Sequence, residues 1–221
     1  MDISIIITNY NKAEFLSRSI RSALNQKHIM KKDYEIIVID DYSKDDSIKI
    51  IKDFSEDVIK IFNKSNRGLP YSRNLGIKKS KAKYVFFLDA DDYISNDTLF
   101  ILKRALEENT NWGGVAADYE TVNKNKKIIK RFSSIDKPIA CGIMYKKNTI
   151  KTVGMFNTKL RFNEDIDFRI RYIKKFQIGN IPIPLYRYTK YKKNLSKDKK
   201  LVKKYTELLL KMHKNLKLIP I

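Results

Sequence analysis

Five aspartates follow two hydrophobic runs of the chain, at the point where each run ends. They are Asp40, Asp41, Asp89, Asp91 and Asp92. In an open α/β sheet the carboxyl ends of parallel strands meet at one edge, so strands in these runs would bring the five carboxylates to one rim. Like charges held that close resist ionisation unless a cation or hydrogen-bond donors offset them.

A divalent metal ion would offset the charge of such a rim. Mg²⁺ and Mn²⁺ prefer oxygen ligands, and they take one or two protein carboxylates while water and substrate phosphates complete the shell. Asp89 and Asp91 are two residues apart, and alternate residues of an extended segment point the same way, so both can reach one ion. The alternative is that the aspartates cap helices and turns, where Asp is common. Two acidic groups at the ends of two strands favour the metal site.

Hydrophobic periodicity predicts the elements that would position these acids. Four short runs rich in β-branched residues are typical of buried parallel strands. They are residues 3–7, 34–39, 58–62 and 84–88. Helical spacing recurs in residues 15–24, 48–54 and 99–106. Ser43 and Asp46 resemble a capping box before the second of these helices. The alternation predicts an α/β fold with a mostly parallel sheet and helices on both faces.

After Trp112 the sequence no longer alternates regularly between strand and helix patterns. Short hydrophobic runs follow at residues 114–117, 128–132 and 140–145. A short helix is predicted to end at Gly154, and a longer helix to span residues 165–175. Two prolines near residues 178–183 predict an edge strand there. This half of the chain is interpreted as an extension of the sheet.

The composition favours a folded, strongly basic protein. Of the 221 residues 43% are hydrophobic, and 46 Lys and Arg against 25 Asp and Glu give a net charge of +21. That charge predicts attraction to polyanions such as nucleic acid, anionic lipid or phosphorylated substrates. The single cysteine, Cys141, lies in a hydrophobic run and is predicted to be a buried free thiol. Without a disulfide framework, a basic leader or a hydrophobic run of about 18 residues, a cytoplasmic protein is expected.

Five segments of the chain resemble the family 2 glycosyltransferases of the GT-A fold. They are residues 4–11 (SIIITNYN), 35–43 (EIIVIDDYS), 66–76 (NRGLPYSRNLG), 84–92 (YVFFLDADD) and 163–165 (NED). Their order and spacing over about the first 175 residues are more specific than any single motif. The resemblance implies a GT-A fold, with a Rossmann-like, mostly parallel twisted sheet, helices on both faces and a small acceptor-side extension.

The resemblance divides the chain into a GT-A domain at residues 1–196 and a tail at 197–221. Within the domain, residues 1–112 would bind the nucleotide sugar and residues 113–196 the acceptor. The tail has hydrophobic residues at helical spacing among lysines, which predicts a basic amphipathic helix. Such a helix either packs on the catalytic domain or attaches to an anionic membrane surface, and the concentration of lysines favours the membrane.

Carried over position by position, the resemblance implies a nucleotide pocket lined by Thr8 and Tyr10. Asp41, with Asp40 beside it, would hydrogen-bond the base, because a carboxylate can accept from a pyrimidine N–H. These roles place the nucleotide over the ends of the first two strands.

The resemblance also implies roles for the donor's diphosphate and sugar. Asp91 would hold Mn²⁺ or Mg²⁺, and Asp89 would bind the donor's ribose or sugar and help orient the cation. Arg73 would face the diphosphate or the donor sugar, since an arginine fork matches phosphate oxygens. The alternative for Arg73 is a solvated helix residue.

Glu164 and Asp165 stand at the start of the predicted helix at residues 165–175. In the family the second acid of this pair is the catalytic base, and a helix N-terminus stabilises an ionised carboxylate. The resemblance implies an in-line displacement with inversion. Asp165 takes the proton of the acceptor hydroxyl, whose oxygen attacks the anomeric carbon while the metal stabilises the departing diphosphate. The alternative is that both acids only complement the helix dipole.

Two features of many relatives are missing from the sequence. Residues 185–196 contain no histidine, although relatives place one there near the diphosphate. Tyr191 or Lys192 would take its place, unless this segment is a flexible basic loop. The Gln-x-x-Arg-Trp motif of processive members is also missing, which implies transfer of one sugar per encounter.

We therefore expect an inverting enzyme that uses a nucleotide diphosphate sugar, by family habit a UDP-sugar, in cell-surface polysaccharide or glycoconjugate synthesis. It would work on a glycan or lipid-linked acceptor, in the cytoplasm or peripherally at the inner face of the membrane. One alternative is a nucleic-acid or polyanion-binding module, which explains the charge but not the acids, so no nucleic-acid partner is expected. A second is a metal-dependent nucleotidyltransferase, which would need a Gly-rich loop where residues 8–11 have none.

Overall fold

In the computed structural model of the chain, the described residues, 1–54, 56–191 and 199–213, include one sheet of nine strands. The strands are β1 (Ile3–Asn9), β2 (Tyr34–Asp40), β3 (Val58–Phe62), β4 (Tyr84–Asp89), β5 (Tyr93–Ile94), β6 (Trp112–Val122), β7 (Ile128–Phe132), β8 (Ile143–Lys146) and β9 (Gln177–Thr189). Their order is β3-β2-β1-β4-β8-β6-β9-β5, and β7 pairs with β6. One hydrophobic core is continuous through both predicted halves of the domain.

Seven α-helices lie in the part of the chain that the structure describes. They are α1 (Ala13–Leu24), α2 (Ser47–Asp53), α3 (Leu69–Lys79), α4 (Thr98–Glu108), α5 (Lys147–Val153), α6 (Glu164–Ile173) and α7 (Lys199–Met212). Hydrophobic spacing does not predict α3, because its buried residues include Ser72, Arg73 and Gly76. A Cβ at Gly76 would lie 2.5 Å from Ile6 Cγ2, so glycine allows α3 to pack closely on β1.

The first half of the sheet is parallel, as the hydrophobic runs predict. β1 lies between β2 and β4, with Thr8 paired to Asp89 and Asn9 paired to Asp40. The acids that follow β2 and β4 therefore share one edge of the sheet. All seven residues of β1 are buried, and burial of each isoleucine contributes about 1.5–3 kcal/mol.

Antiparallel strands extend the sheet in the second half. β8 runs antiparallel to both β4 and β6, whereas β9 is parallel to β6. β9 is longer than the strand predicted at residues 178–183, and its C-terminal part pairs with β5 on the side away from β6. Pro182 and Pro184 lie where the register with β6 shifts, so they fall at an interruption of the ladder.

The described part of the tail, α7, packs on the rest of the protein. Tyr205 and Leu209 are buried against Leu160, and Phe162 and Ile166 pack around them. For these residues the structure has a packed helix, whose Lys203, Lys204 and Lys211 remain exposed; attachment to a membrane stays a prediction. No helix within the described ranges is long and apolar enough to cross a bilayer. The predicted boundary at 196/197 lies outside the described residues.

Candidate active site

Asp40 organises the loop after β2. Its side chain is fully buried, and its oxygens accept hydrogen bonds from Asn9 Nδ2 (2.7 Å), Ser43 Oγ (2.6 Å) and Ser43 N (2.9 Å). The implied contact of Asp40 with the base is therefore corrected to a structural role. The capping-box prediction is also wrong, because the Ser43 hydroxyl binds Asp40 and α2 begins at Ser47, whose N–H binds Asp45.

Asp41 anchors the segment that leads into α3. Its carboxylate accepts hydrogen bonds from Asn63 Nδ2 (2.7 Å), Arg67 N (2.9 Å) and Gly68 N (2.7 Å). Gly68 has a φ of 88°, which a residue with a side chain rarely adopts, and this conformation lets the chain turn into the helix. A carboxylate has about four acceptor positions, so the three bonds leave room for a further donor.

Thr8 and Tyr10, which the resemblance assigns to the nucleotide pocket, lie at the end of β1. Thr8 is buried beside Asp89, whereas Tyr10 is 45% exposed. The neighbouring strand end carries Tyr42, which is 42% exposed and has a φ of 68°. The Lys44 ammonium lies 3.5 Å from the centre of the Tyr42 ring. Two exposed tyrosines at adjacent strand ends can stack on a planar base.

Arg73 is the centre of a buried ionic network. Its side chain is 2% exposed, and Nη1 lies 2.9 Å from Glu164 Oε1 while Nη2 lies 3.1 Å from Asp89 Oδ1. The solvated-helix alternative for Arg73 is therefore wrong, and both ends of its fork already hold carboxylates. Cys141, the predicted buried free thiol, is confirmed and lies 3.5 Å from Nη2.

Glu164 and Asp165 form the first turn of α6, as predicted. Burial raises the pKa of Glu164 to about 7, with a further rise from the Asp165 charge and an opposing effect of Arg73. Burial also raises the pKa of Asp165, and Arg73 and the N–H groups at the helix start oppose this. Asp165 is partly exposed, and no Lys or Arg of the described ranges lies within ion-pair distance of it. It is thus the acid of the pair that can accept a proton from a bound molecule.

Asp91 contacts a lysine and a tyrosine from two other segments. Its Oδ2 lies 2.7 Å from Lys12 Nζ and accepts a hydrogen bond from the Tyr191 hydroxyl. The Tyr191 ring packs on Phe15, with ring centres 4.8 Å apart. The edge of the sheet that carries Asp41, Asp89 and Asp91 is here called the acid rim. The predicted candidate Tyr191 therefore lies at the acid rim, while Lys192 lies outside the described residues. Sequence reasoning missed Lys12, although its place directly after the β1 motif was a signal.

Asp89 and Asp91 fit a metal that brings its remaining ligands with the substrate. Among the described residues no three His, Cys, Asp or Glu side chains surround one point, so the protein alone does not form a closed metal site. Mg²⁺ and Mn²⁺ commonly use only one or two carboxylates beside phosphate and water. The Lys12 ammonium on Asp91 indicates that this carboxylate accommodates a cation. The donor set therefore suits a metal bound together with a diphosphate.

Asp92 belongs to the acidic motif but binds the protein. It accepts hydrogen bonds from the Tyr186 hydroxyl and from Thr189 N, each at 2.7 Å. Burial, followed by the charges of Asp91 and Asp89, raises its pKa well above the usual range. Asp92 therefore fixes the end of β9 against the acid rim.

The C-terminal helix contacts the turn that carries the acids of α6. Asn163, which precedes α6, has a φ of 63°, and its Nδ2 donates to Thr206 Oγ1 at 3.0 Å. His213 Nε2 lies 2.9 Å from Asp167 Oδ1, and Arg171 binds the other oxygen of Asp167. The partners that α7 supplies, Thr206 and His213, lie outside the segments that carry the resemblance, so sequence reasoning did not find these contacts.

Residues 4–181 match the model of Glycosyl transferase family 2. This range contains the five segments quoted above and all the predicted site residues from Thr8 to Asp165. The chain belongs to glycosyltransferase family 2, and the resemblance inferred from its sequence is confirmed.

Individual proteins of known sequence are similar to most of this chain. TarP, a poly(ribitol-phosphate) beta-N-acetylglucosaminyltransferase of Staphylococcus aureus, is 34% identical over 194 residues, which are 77% of this chain and 57% of TarP. An uncharacterised glycosyltransferase of Rickettsia conorii is 33% identical over 192 residues, 81% of this chain and 31% of that protein. The chain spans between 19% and 57% of the lengths of the first curated relatives it matches.

Solved structures confirm the predicted GT-A fold. The S. aureus TarS fragment 1–349 in complex with UDP has a TM-score of 0.79 at 20% identity, covering 99% of this chain and 67% of the fragment. The mannosyltransferase PcManGT of Pyrobaculum calidifontis, in complex with GDP-Man and Mn²⁺, has a TM-score of 0.76 at 15% identity, covering 99% of this chain and 65% of that one.

Proposed function

We propose that this glycosyltransferase moves one sugar from a UDP-sugar to an acceptor hydroxyl, with inversion at the anomeric carbon. The observation that carries the proposal is the buried bridge through Arg73, which joins Asp89 of the acid rim to Glu164 beside Asp165. A donor held at the rim would thus lie next to a proton acceptor. The TarS complexes with UDP and with UDP-GlcNAc support a uridine nucleotide.

In this mechanism Asp165 takes the proton of the acceptor hydroxyl as its oxygen attacks. A carboxylate whose pKa is raised is a stronger base, as burial makes Asp165. The helix N-terminus opposes this rise and favours the ionised form, which is the form that accepts the proton. Arg73 would orient Glu164 and Asp89, because its guanidinium group pairs with these two carboxylates. Thr8 and Tyr10 would line the nucleotide pocket, and Asp41 would offer its remaining acceptor position to the base.

Asp91, together with Asp89, would hold Mn²⁺ or Mg²⁺, which offsets the charge of the departing diphosphate. The complex of PcManGT with Mn²⁺ supports this assignment. Asp91→Ala is expected to remove the Mn²⁺-dependent part of UDP affinity, measured by calorimetry with and without the ion. The exposed Asp53→Ala is the matched control. An Asp91→Ala protein that retained the Mn²⁺ effect would exclude Asp91 as the ligand.

The acceptor is proposed to be a cell-surface polymer or a lipid-linked glycoconjugate. The similarity to TarP, a poly(ribitol-phosphate) beta-N-acetylglucosaminyltransferase, supports a polymer of this kind. A cytoplasmic site at the inner face of the membrane suits such an acceptor. Exposed lysines of α7, including Lys203, Lys204 and Lys211, would supply attraction to an anionic leaflet. Cosedimentation with anionic but not neutral vesicles tests this location.

A panel of UDP-, GDP- and dTDP-sugars with Mn²⁺ tests the proposed donor. Thermal stabilisation and slow release of the nucleoside diphosphate are expected with one UDP-sugar. Stabilisation by GDP- or dTDP-sugars alone would overturn the choice of nucleotide. Tight oligonucleotide binding without nucleotide release would favour the polyanion-binding alternative instead.

A further inference from the structure

A cleft lined by four lysines lies near the start of β4, at the edge of the sheet opposite the acid rim. Its volume is about 440 Å³. The lining residues, here called the lysine cleft, are Ala82, Lys83, Lys146, Lys147, Asn148 and Lys151. Lys146 pairs with Tyr84 at the start of β4, whereas Asp89 ends that strand. Five residues of extended chain separate the two places by roughly 17 Å.

The positive charge of the lysine cleft is not offset by an ion pair. No Asp or Glu of the described ranges lies within ion-pair distance of its four ammonium groups. The charge of Glu35 acts on Lys147, and that of Asp2 acts on Lys83, in both cases without an ion pair. Burial and the neighbouring lysines lower the pKa of Lys146 and of Lys147. An anion in the cleft would relieve this repulsion.

Two of the lysines are held in place by the protein. Lys146 Nζ donates to Thr110 O at 2.8 Å, and Lys147 Nζ donates to Ser80 O. Each ammonium group has three N–H bonds, so each keeps two for a ligand. Both side chains are half-buried, whereas Lys83 and Lys151 are exposed. Donors that are already held in place lose less side-chain entropy when a ligand binds.

We propose that the lysine cleft binds the phosphoryl groups of a soluble phosphorylated compound, at a site separate from the donor site. Several ammonium groups and the Asn148 amide around one cavity match the many acceptor oxygens and multiple charge of a phosphate chain. The cavity has room for one or two phosphoryl groups with a small organic substituent. The proposal goes beyond sugar transfer and does not depend on it.

Calorimetry of the full chain with tripolyphosphate at constant ionic strength tests the proposal. The variant K83M/K151M removes two exposed lysines of the cleft, and K126M/K127M removes two exposed lysines from the β6–β7 turn with the same change in net charge. We expect the cleft variant to weaken binding at least about tenfold and the turn variant to change it less than about twofold. Donor hydrolysis should stay unchanged in both variants.

Equal weakening in the two variants would show a general effect of net charge and overturn the proposal. A wild-type protein that does not bind tripolyphosphate would also overturn it. So would a protein that binds anionic vesicles but not tripolyphosphate, if K83M/K151M abolishes the vesicle binding. Should K83M/K151M fail to fold, K83Q/K151Q keeps polar side chains at both positions and carries the same expectation. A folded K83Q/K151Q protein with wild-type affinity would likewise overturn it.

Discussion

Arg73 is the residue on which both acids of the bridge depend. Without its charge, Glu164 would remain buried with no cationic partner. We predict that Arg73→Met lowers the free energy of unfolding by about 3–5 kcal/mol, because one partner of a buried pair is removed. Arg73→Lys should recover only part of this, since an ammonium group cannot present a fork to two carboxylates. Urea unfolding measures both, with Arg104→Met on the surface as the control. Unchanged stability of Arg73→Met would contradict the bridge.

Glu164 should make the stability of the protein depend on pH. Its folded pKa of about 7 lies above the ordinary value of 4.5, so the folded state holds more protons than the unfolded chain between these values. Stability should therefore fall as pH rises from about 4.5 to 7. Glutamine at position 164 cannot titrate, so Glu164→Gln is predicted to reduce the decrease in the free energy of unfolding between these pH values. Urea unfolding at several pH values measures it. Glu207→Gln, at an exposed position, is the control. An unaltered slope in Glu164→Gln would contradict the buried environment.

The positions of the site residues were predictable, but their contacts were not. Asp89 and Asp41 could be placed at one rim because the residues after parallel strands always meet at one edge. The bond from Arg73 to Glu164 joins residues 91 positions apart, and no local pattern encodes it. Asp40 looked equivalent to Asp41 in the sequence, and each accepts three hydrogen bonds in the folded loop; only the fold makes Asp40 fully buried while Asp41 keeps 4% exposure.

At the scale of elements, α7 forms part of the structure around Glu164 and Asp165, the acids proposed to be catalytic. Leu209 is buried against Leu160, whereas the adjacent Leu210 is only partly buried. We predict that Leu209→Ala lowers the free energy of unfolding by about 2–5 kcal/mol, and that Leu210→Ala costs clearly less. Thermal and urea unfolding of the two matched variants measure the difference. Equal small effects would mean that α7 does not pack as described.

Elements with a clear hydrophobic period were predicted, and elements without one were not. The strands β1, β2 and β4 are continuous hydrophobic runs because helices cover both faces of the parallel sheet. α3 buries Ser72, Arg73 and Gly76, so its sequence has no hydrophobic stripe. The tail had a stripe, but periodicity alone does not say whether protein or lipid covers it.

At the scale of the whole molecule, the charges are segregated along β4. The acid rim lies at the end of the strand, and the lysine cleft lies near its start. The net charge of +21 therefore does not describe the donor site, where carboxylates dominate. This separation would let one GT-A unit hold a nucleotide sugar at one edge, as proposed, while the lysine cleft binds other anions.

The turnover of Asp165→Asn, measured with donor affinity on the same preparation, tests the proposed chemistry most directly. Asparagine keeps the shape of the side chain but cannot take a proton. The account predicts UDP affinity close to wild type and release of UDP from the UDP-sugar slowed roughly 100-fold or more. The exposed Asp53→Asn should retain wild-type turnover. Wild-type turnover in Asp165→Asn would contradict the assignment of Asp165 as the base.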